Sequence, residues 1–212
     1  MTGEKETISG QLPDALIIEK ILLGEKKLFE TIIRRHNQRL YRVGMAVLAN
    51  DAEVEDAMQT AYINAFEHLA QFEKRSSFAT WLTRIMLNQC YEQKRRRLLS
   101  RNNTDDPQNL TSMKTPANIL AQKELSGVLE RAIGALPEKY RLVFVLREME
   151  DLSVRETSEA LNIGEPNVKV RLNRAKSMLR TGLSDYVKDH VYHFHLSRCD
   201  RIVASVMNFL KI

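Results

Sequence analysis

The residues best suited to chemistry in this chain form a cationic, amide-bearing run between Leu161 and Arg180, with five Lys/Arg and one acid. At 100° per residue, Val168, Leu172, Ala175 and Leu179 fall on one side of a helix. Pro166, Val170, Asn173, Arg174 and Ser177 fall opposite, with Lys169 and Arg171 on the flanks. An apolar back, a polar crest and cationic shoulders suit a DNA major groove. The shoulders neutralise phosphates and amide side chains meet base edges. A solvated, Lys/Arg-rich amphipathic helix carries the same pattern, so the run needs a context.

The context is two short helices joined by a tight turn, over Leu152 to Arg180. Ser153-Val154-Arg155-Glu156 fits a capping box. The first helix runs to about Leu161. Asn162 and Gly164 tolerate positive φ and supply the turn. Pro166 stands in the first turn of the next helix, where a missing N–H costs nothing. The spacing predicts a helix-turn-helix.

Charge elsewhere is segregated. Asp51 to Glu73 carries six acids and no Lys or Arg, while Lys94 to Arg101 carries five bases and no acid. Such alternation points to one face for a protein partner and another for a polyanion. The net charge of +5 and pI of about 9.2 agree with nucleic acid without requiring it. Clustered carboxylates and metal motifs that would serve cleavage are lacking, so no catalytic residue, metal or cofactor is expected and the chain is read as a non-enzyme. Cys90 and Cys199 form no C-x-x-C, which points to a reducing cytoplasm. The N-terminus lacks an apolar signal core, and no run approaches 18 apolar residues, so neither export nor membrane insertion is expected.

Residues 1–12 read as a polar, disordered arm. Four amphipathic stretches follow, with apolar residues recurring at three and four. The first starts at Pro13 and ends near Gly24. The second runs from about Lys26 to Leu48, the third from Ala52 to Leu69, and the fourth from Phe78 to Arg97. Trp81 and Phe78 lie in the apolar stripe and read as core. Residues 101–116, rich in Asn, Asp, Thr, Ser and Pro, read as a flexible linker. Helical signals resume at Ala117, and Leu136-Pro137-Glu138 opens another helix, whose buried face carries Leu142, Val143, Leu146 and Met149. Strand alternation is missing, so the class is all-α: a four-helix domain over 13–100, a helix-turn-helix domain over 117–182, and a helical extension over 183–212.

The order of these motifs resembles the bacterial sigma-70 family, in its small extracytoplasmic-function (group IV) form, over roughly Pro13 to Thr181. Glu55-Asp56-Ala57-Met58-Gln59 resembles the core of conserved region 2.2. Ser77-Phe78-Ala79-Thr80-Trp81-Leu82-Thr83-Arg84-Ile85-Met86-Leu87-Asn88 resembles regions 2.3 and 2.4. Leu136-Pro137-Glu138-Lys139-Tyr140-Arg141 is similar to the start of region 4, and Asn167 to Ala175 to the region 4.2 recognition helix. The resemblance implies a factor that binds core RNA polymerase, directs it to a promoter and helps melt the DNA. It implies Glu55, Asp56 and Gln59 as contacts to the β′ clamp helices. Phe72, Lys74, Ser76, Arg84, Asn88, Arg95 and Arg96 would take the −10 element. Pro166, Asn167, Lys169, Val170, Arg171, Asn173 and Arg174 would take the −35 element. Leu142 to Met149 would belong to the body that docks on the β flap, and an anti-sigma factor is an expected partner.

The chain departs from the family pattern at Thr157, Ser158, Asn162, Gly164 and Val170, and at Lys74 and Glu92, which leaves promoter preference open. The acids of the third helix equally fit a solvated helix start favoured by the dipole. A stand-alone helix-turn-helix repressor would need neither an acidic clamp face nor a melting loop. In the extension, His190, His193, His195 and Cys199 are zinc-ligand types without a standard spacing. A polar hinge and a helix covering an apolar patch account for the same residues.

Overall fold

The computed structural model describes residues 12–101, 120–190 and 207. Among these, every regular element is helical. They are α1 (Asp14–Leu22), α2 (Phe29–Leu48), α3 (Asp51–Glu67), α4 (Phe78–Arg101), α5 (Leu120–Ala135), α6 (Glu138–Phe144), a π-helical turn (Val145–Met149), α7 (Val154–Leu161) and α8 (Glu165–His190). Single 3-10 turns stand at Lys26–Leu28 and Leu69–Gln71. The all-α reading holds. The N-terminal arm up to residue 11, the linker beyond Arg101, and His193, His195 and Cys199 lie outside the described residues. The extension expected from residue 183 begins as a continuation of α8, which runs unbroken to His190.

The helices stop and start where backbone chemistry favours it. Gly24 follows α1 at φ +112°, a conformation that a Cβ would strain. Ala49 ends α2 in the left-handed region, and Asn50 then caps α3 by accepting the Glu53 amide at 3.0 Å. Ser77 caps α4 by accepting the Thr80 amide at 3.2 Å. Asn162 carries the left-handed step after α7. Gly164 does not share it. Its φ is not positive, and its carbonyl instead accepts the Asn167 and Val168 amides at the start of α8.

Helices α1 to α4 form one body around Ile32, Leu40, Val43, Val54, Ala61, Leu82 and Met86, all fully buried. At Gly44, α2 lies close against its neighbours. A Cβ there would fall 2.7 Å from both Met86 Cε and Val54 Cγ1. Asp14 ties α1 to α2 through Arg35 and, at 2.9 Å, through His36 Nε2. Burial works to raise the Asp14 pKa, but the hydrogen bonds and charges of His36 and Arg35 outweigh it and hold the carboxyl below its ordinary value.

The second body, α5 to α8, has a small core of Leu136, Tyr140, Ala175 and Leu179. Its remaining apolar face is not kept to itself. Leu142, Val145, Leu146, Leu152 and Ala160 join the core of the first body. The physical reason lies in α6 and the π turn, which are apolar on two sides rather than along one stripe. Tyr140 and Phe144 face the small core, and Leu142, Val145 and Leu146 need a second partner. The sequence left the arrangement of the two bodies open. In the structure they are packed together.

Candidate nucleic-acid interface

The helix-turn-helix is held from its first residue. Ser153 Oγ accepts the Glu156 amide at 3.1 Å, and the Ser153 amide donates to Glu156 Oε2 at 2.9 Å. That completes the expected capping box. On α8, Val168 and Ala175 are fully buried and Leu179 nearly so. Pro166, Asn167, Lys169, Val170, Asn173 and Arg174 are exposed, while Arg171 is half-buried. The crest and one shoulder therefore stand free as the periodicity requires. Val170 is 48% exposed, unusual for a branched aliphatic with no packing duty. Arg174 is partly engaged, donating to the Tyr140 hydroxyl at 3.3 Å.

The residues expected at a −10 element fall into three places. Phe72, Lys74 and Ser76 line an open cleft of about 550 Å³ beside Asp14 and Arg35. Phe72 is packed in an aromatic group, 5.4 Å from Trp81 and 5.5 Å from Phe78 between ring centroids. Phe78 is buried and Trp81 half-buried, so both serve the core as expected. Lys74 adopts φ 56° and its ammonium reaches Glu19 at 2.7 Å.

Arg84, Asn88 and Arg95 are exposed along one stripe of α4, at helical spacings of four and seven. Tyr91 lies in the same stripe and is 42% exposed. It was missed in the sequence because the family motif ends at Asn88, although the spacing from Arg84 and Asn88 marks it equally. A tyrosine flanked by cations offers a π-face to an unpaired base. Arg96 stands apart from these residues. It borders a groove of about 260 Å³ with Asp56, Thr60, Gln89, Glu92 and Gln93, and bonds Glu92 at 3.4 Å.

On α3, Glu55, Asp56 and Gln59 are all exposed, opposite the buried Val54, Ala57 and Ala61. Cys90 is fully buried, and burial above all pushes its thiol up to about 12, which keeps it protonated and unreactive. Among the described residues no group of three or more His, Cys, Asp or Glu is placed to hold a metal ion.

A set of polar contacts that sequence reasoning did not anticipate lines the seam between the bodies. Glu150 bonds Arg39 at 3.1 Å and Arg42 at 2.9 Å. Arg141 Nε donates to the Ala46 carbonyl at 2.8 Å, and Lys94 pairs with Glu138. Ser77 and Thr80 donate to Glu156 at 2.9 and 3.3 Å. Each partner lies dozens of residues from the other, so no local spacing signalled these pairs.

Comparison with known proteins fits this geometry. Residues 32–98 match the family model for sigma-70 region 2, and residues 126–179 match that for sigma-70 region 4. The chain is 30% identical over 178 residues to the ECF RNA polymerase sigma factor SigW of Bacillus subtilis, covering 79% of this chain and 95% of SigW. It is 28% identical over 182 residues to the ECF RNA polymerase sigma-E factor of Escherichia coli K12, covering 81% of this chain and 95% of that factor. Its fold is similar to that of the sigma factor RpoE, solved with the anti-sigma factor NepR from Bartonella quintana, with a TM-score of 0.64, 20% identity, and coverage of 74% of this chain and 96% of RpoE. It is also similar to CnrH, solved with the cytosolic domain of CnrY, with a TM-score of 0.60, 23% identity, and coverage of 81% and 97%. No helix among the described residues is long and apolar enough to cross a membrane. With two family models matched in order and a 30% identical relative spanned almost end to end, the chain belongs to the extracytoplasmic-function sigma factors of the sigma-70 family, RNA polymerase sigma factors that act in transcription initiation.

Proposed function

We propose that the chain binds core RNA polymerase, directs it to −35 and −10 promoter elements and promotes melting at the latter. The observation that carries this reading is the division of one helical body into two exposed chemistries. Glu55, Asp56 and Gln59 present acids and an amide on α3, and Arg84, Asn88, Tyr91 and Arg95 present cations, an amide and a ring on α4. The first set suits the β′ clamp helices of polymerase. The second suits a single strand, whose phosphates need cations and whose unstacked bases need aromatic and amide partners.

On α8, Lys169 and Arg171 are the phosphate contacts, and Asn167, Val170, Asn173 and Arg174 meet base edges, with Pro166 at the helix start. Phe72, Lys74 and Ser76 line the cleft that would receive an extruded −10 base, an arrangement in keeping with the energetics of base flipping. Arg96, which borders the groove with Asp56 and Glu92 but keeps a largely exposed side chain, completes the −10 set. An anti-sigma factor is the expected regulator, because related folds are solved with one. The domain limits 13–100 and 117–182, with residues 101–116 between them, belong to the same proposal.

Run-off transcription with purified core polymerase tests the reading. Promoter-dependent transcripts are expected only when the chain is added, and Glu55→Lys with Asp56→Lys should abolish both core binding and transcript. A chain that neither binds core nor yields any transcript would overturn it.

A further inference from the structure

We propose that the packing of the two bodies is an autoinhibited state, latched by Glu150, which must open before both promoter grips can engage one DNA. The proposal rests on the assignment of α4 and α8 as the −10 and −35 grips. Its starting point is the Glu150 carboxylate, whose side chain is 6% exposed and whose two oxygens are taken by Arg39 and Arg42 from α2, in the opposite body. The Glu150 backbone carbonyl accepts from Arg39 as well, at 3.0 Å.

The segment that delivers Glu150 is itself irregular. A π-helical turn, Val145–Met149, leads into it, and Asp151 follows at φ 54°. π turns are rare, left-handed backbone is uncommon outside glycine, and both concentrate at functional sites.

Two further carboxylates of the second body act alongside it. Glu138 takes Lys94 at the head of the cationic run, and Glu156 takes Ser77 and Thr80 at the start of α4. The second body thus sets one acid on the cationic run at Lys94 and another on the first turn of α4.

Geometry makes this arrangement incompatible with promoter engagement. The elements are named for positions roughly 25 base pairs apart, about 85 Å along B-DNA at 3.4 Å per pair. α4, with 24 residues, spans only about 36 Å. Here α7 packs on α4, and α8 packs on α7 in turn. The two grips are side by side, and the apolar residues Leu142, Val145 and Leu146 are covered by α2. A buried carboxylate held by partly exposed guanidinium groups is a suitable latch, because desolvation offsets much of its Coulombic gain and the carboxylate recovers its hydration when the bodies part.

Small-angle scattering of the full chain, with run-off transcription at limiting core polymerase, tests the latch. The wild-type radius of gyration should be that of the packed bodies. E150A and the double variant R39A/R42A should keep the helical circular dichroism, increase the radius, and raise transcript yield at subsaturating factor about threefold or more. Should E150A lose its helical spectrum, R42A decides, since the Arg42 side chain is already 38% exposed. Folded variants with the wild-type radius overturn the latch, and expanded variants without added transcript overturn the autoinhibition. If neither the wild type nor the expanded variants yield any transcript with core, the assignment of the grips is overturned instead.

Discussion

The Ser77 hydroxyl donates to the Glu156 carboxylate at 2.9 Å, joining the cap of α4 to the cap of α7. Both residues already work at their own helix starts. Ser77 accepts the Thr80 amide and Glu156 accepts the Ser153 amide. Together with the Thr80 hydroxyl, which donates to the same carboxylate, the Ser77 hydroxyl couples α4 to α7 through groups that neither helix can move without loosening its own first turn.

That coupling predicts an acid-dependent stability. The Ser153 amide, opposed by partial burial and helped by the hydroxyls of Ser153, Ser77 and Thr80, holds the Glu156 carboxyl below its ordinary 4.5. A depressed folded-state pKa contributes stability that is full above about pH 4.5, the unfolded value, and is lost as the pH falls through the lower folded value. Glu156→Gln keeps an N3 residue that capping boxes accept but removes the charge. In urea melts from pH 6 to 3, the variant should show a shallower loss of stability below pH 4.5 than the wild type. Identical acid limbs would refute the assignment.

Gly44→Ala should destabilise the first body by about 1–3 kcal/mol, the usual penalty for forcing an extra methyl into a packed core. Its Cβ would lie 2.7 Å from Val54 Cγ1, a branched side chain with little room to turn, as well as from the mobile end of Met86. Thermal unfolding followed at 222 nm should show a midpoint lower by roughly 2–12 °C, at about 2–4 °C per kcal/mol for a chain of this size. An unchanged midpoint would mean that the helices part at Gly44 without cost.

Much of this fold was legible because helices announce themselves locally. The Ser153–Glu156 box, the left-handed step at Asn162 and the stripe Val168–Leu172–Ala175–Leu179 all depend on neighbours within four residues, and each appears as the spacing requires, with Leu172 half-buried and the other three buried. Gly164 serves the turn without the positive φ it tolerates; of the two, Asn162 alone adopts it. Tyr91 lies three residues past the end of the family motif, so only the exposed stripe of α4 marks it. The seam escaped for a deeper reason. Arg42 and Glu150 are 108 residues apart, and no periodicity relates them. The double-sided apolar character of Leu142, Val143, Phe144, Val145 and Leu146 was the one available hint that the second body needed a partner.

Asp14→Ala should free α1 without unfolding the rest. His36 is almost fully buried and has its Nε2 bonded to Asp14 at 2.9 Å, so the substitution leaves a buried ring nitrogen without that partner. The expected cost is about 1–3 kcal/mol. Hydrogen exchange should locate it, with amides of Ile17, Ile18 and Ile21 losing protection while those at the α2–α4 crossing keep theirs. Uniform loss across all four helices would show that α1 is integral to the cooperative unit rather than tethered to it.

Lys169 and Asn173 should fail in different ways, which makes them the sharpest test of α8 as a reading helix. Both are exposed on its free side. A lysine at the shoulder binds phosphate, so Lys169→Ala should weaken holoenzyme binding to all promoters alike and reduce the salt slope by about 1. An amide on the crest binds a base edge, so Asn173→Ala should leave the slope unchanged and relax preference at one −35 position by about 1–3 kcal/mol. The readout is a salt titration of promoter binding with wild-type and singly substituted −35 sequences. If both variants change only the slope, α8 grips DNA without reading it. If neither changes anything, the cationic helix is a solvated face and the −35 contact lies elsewhere.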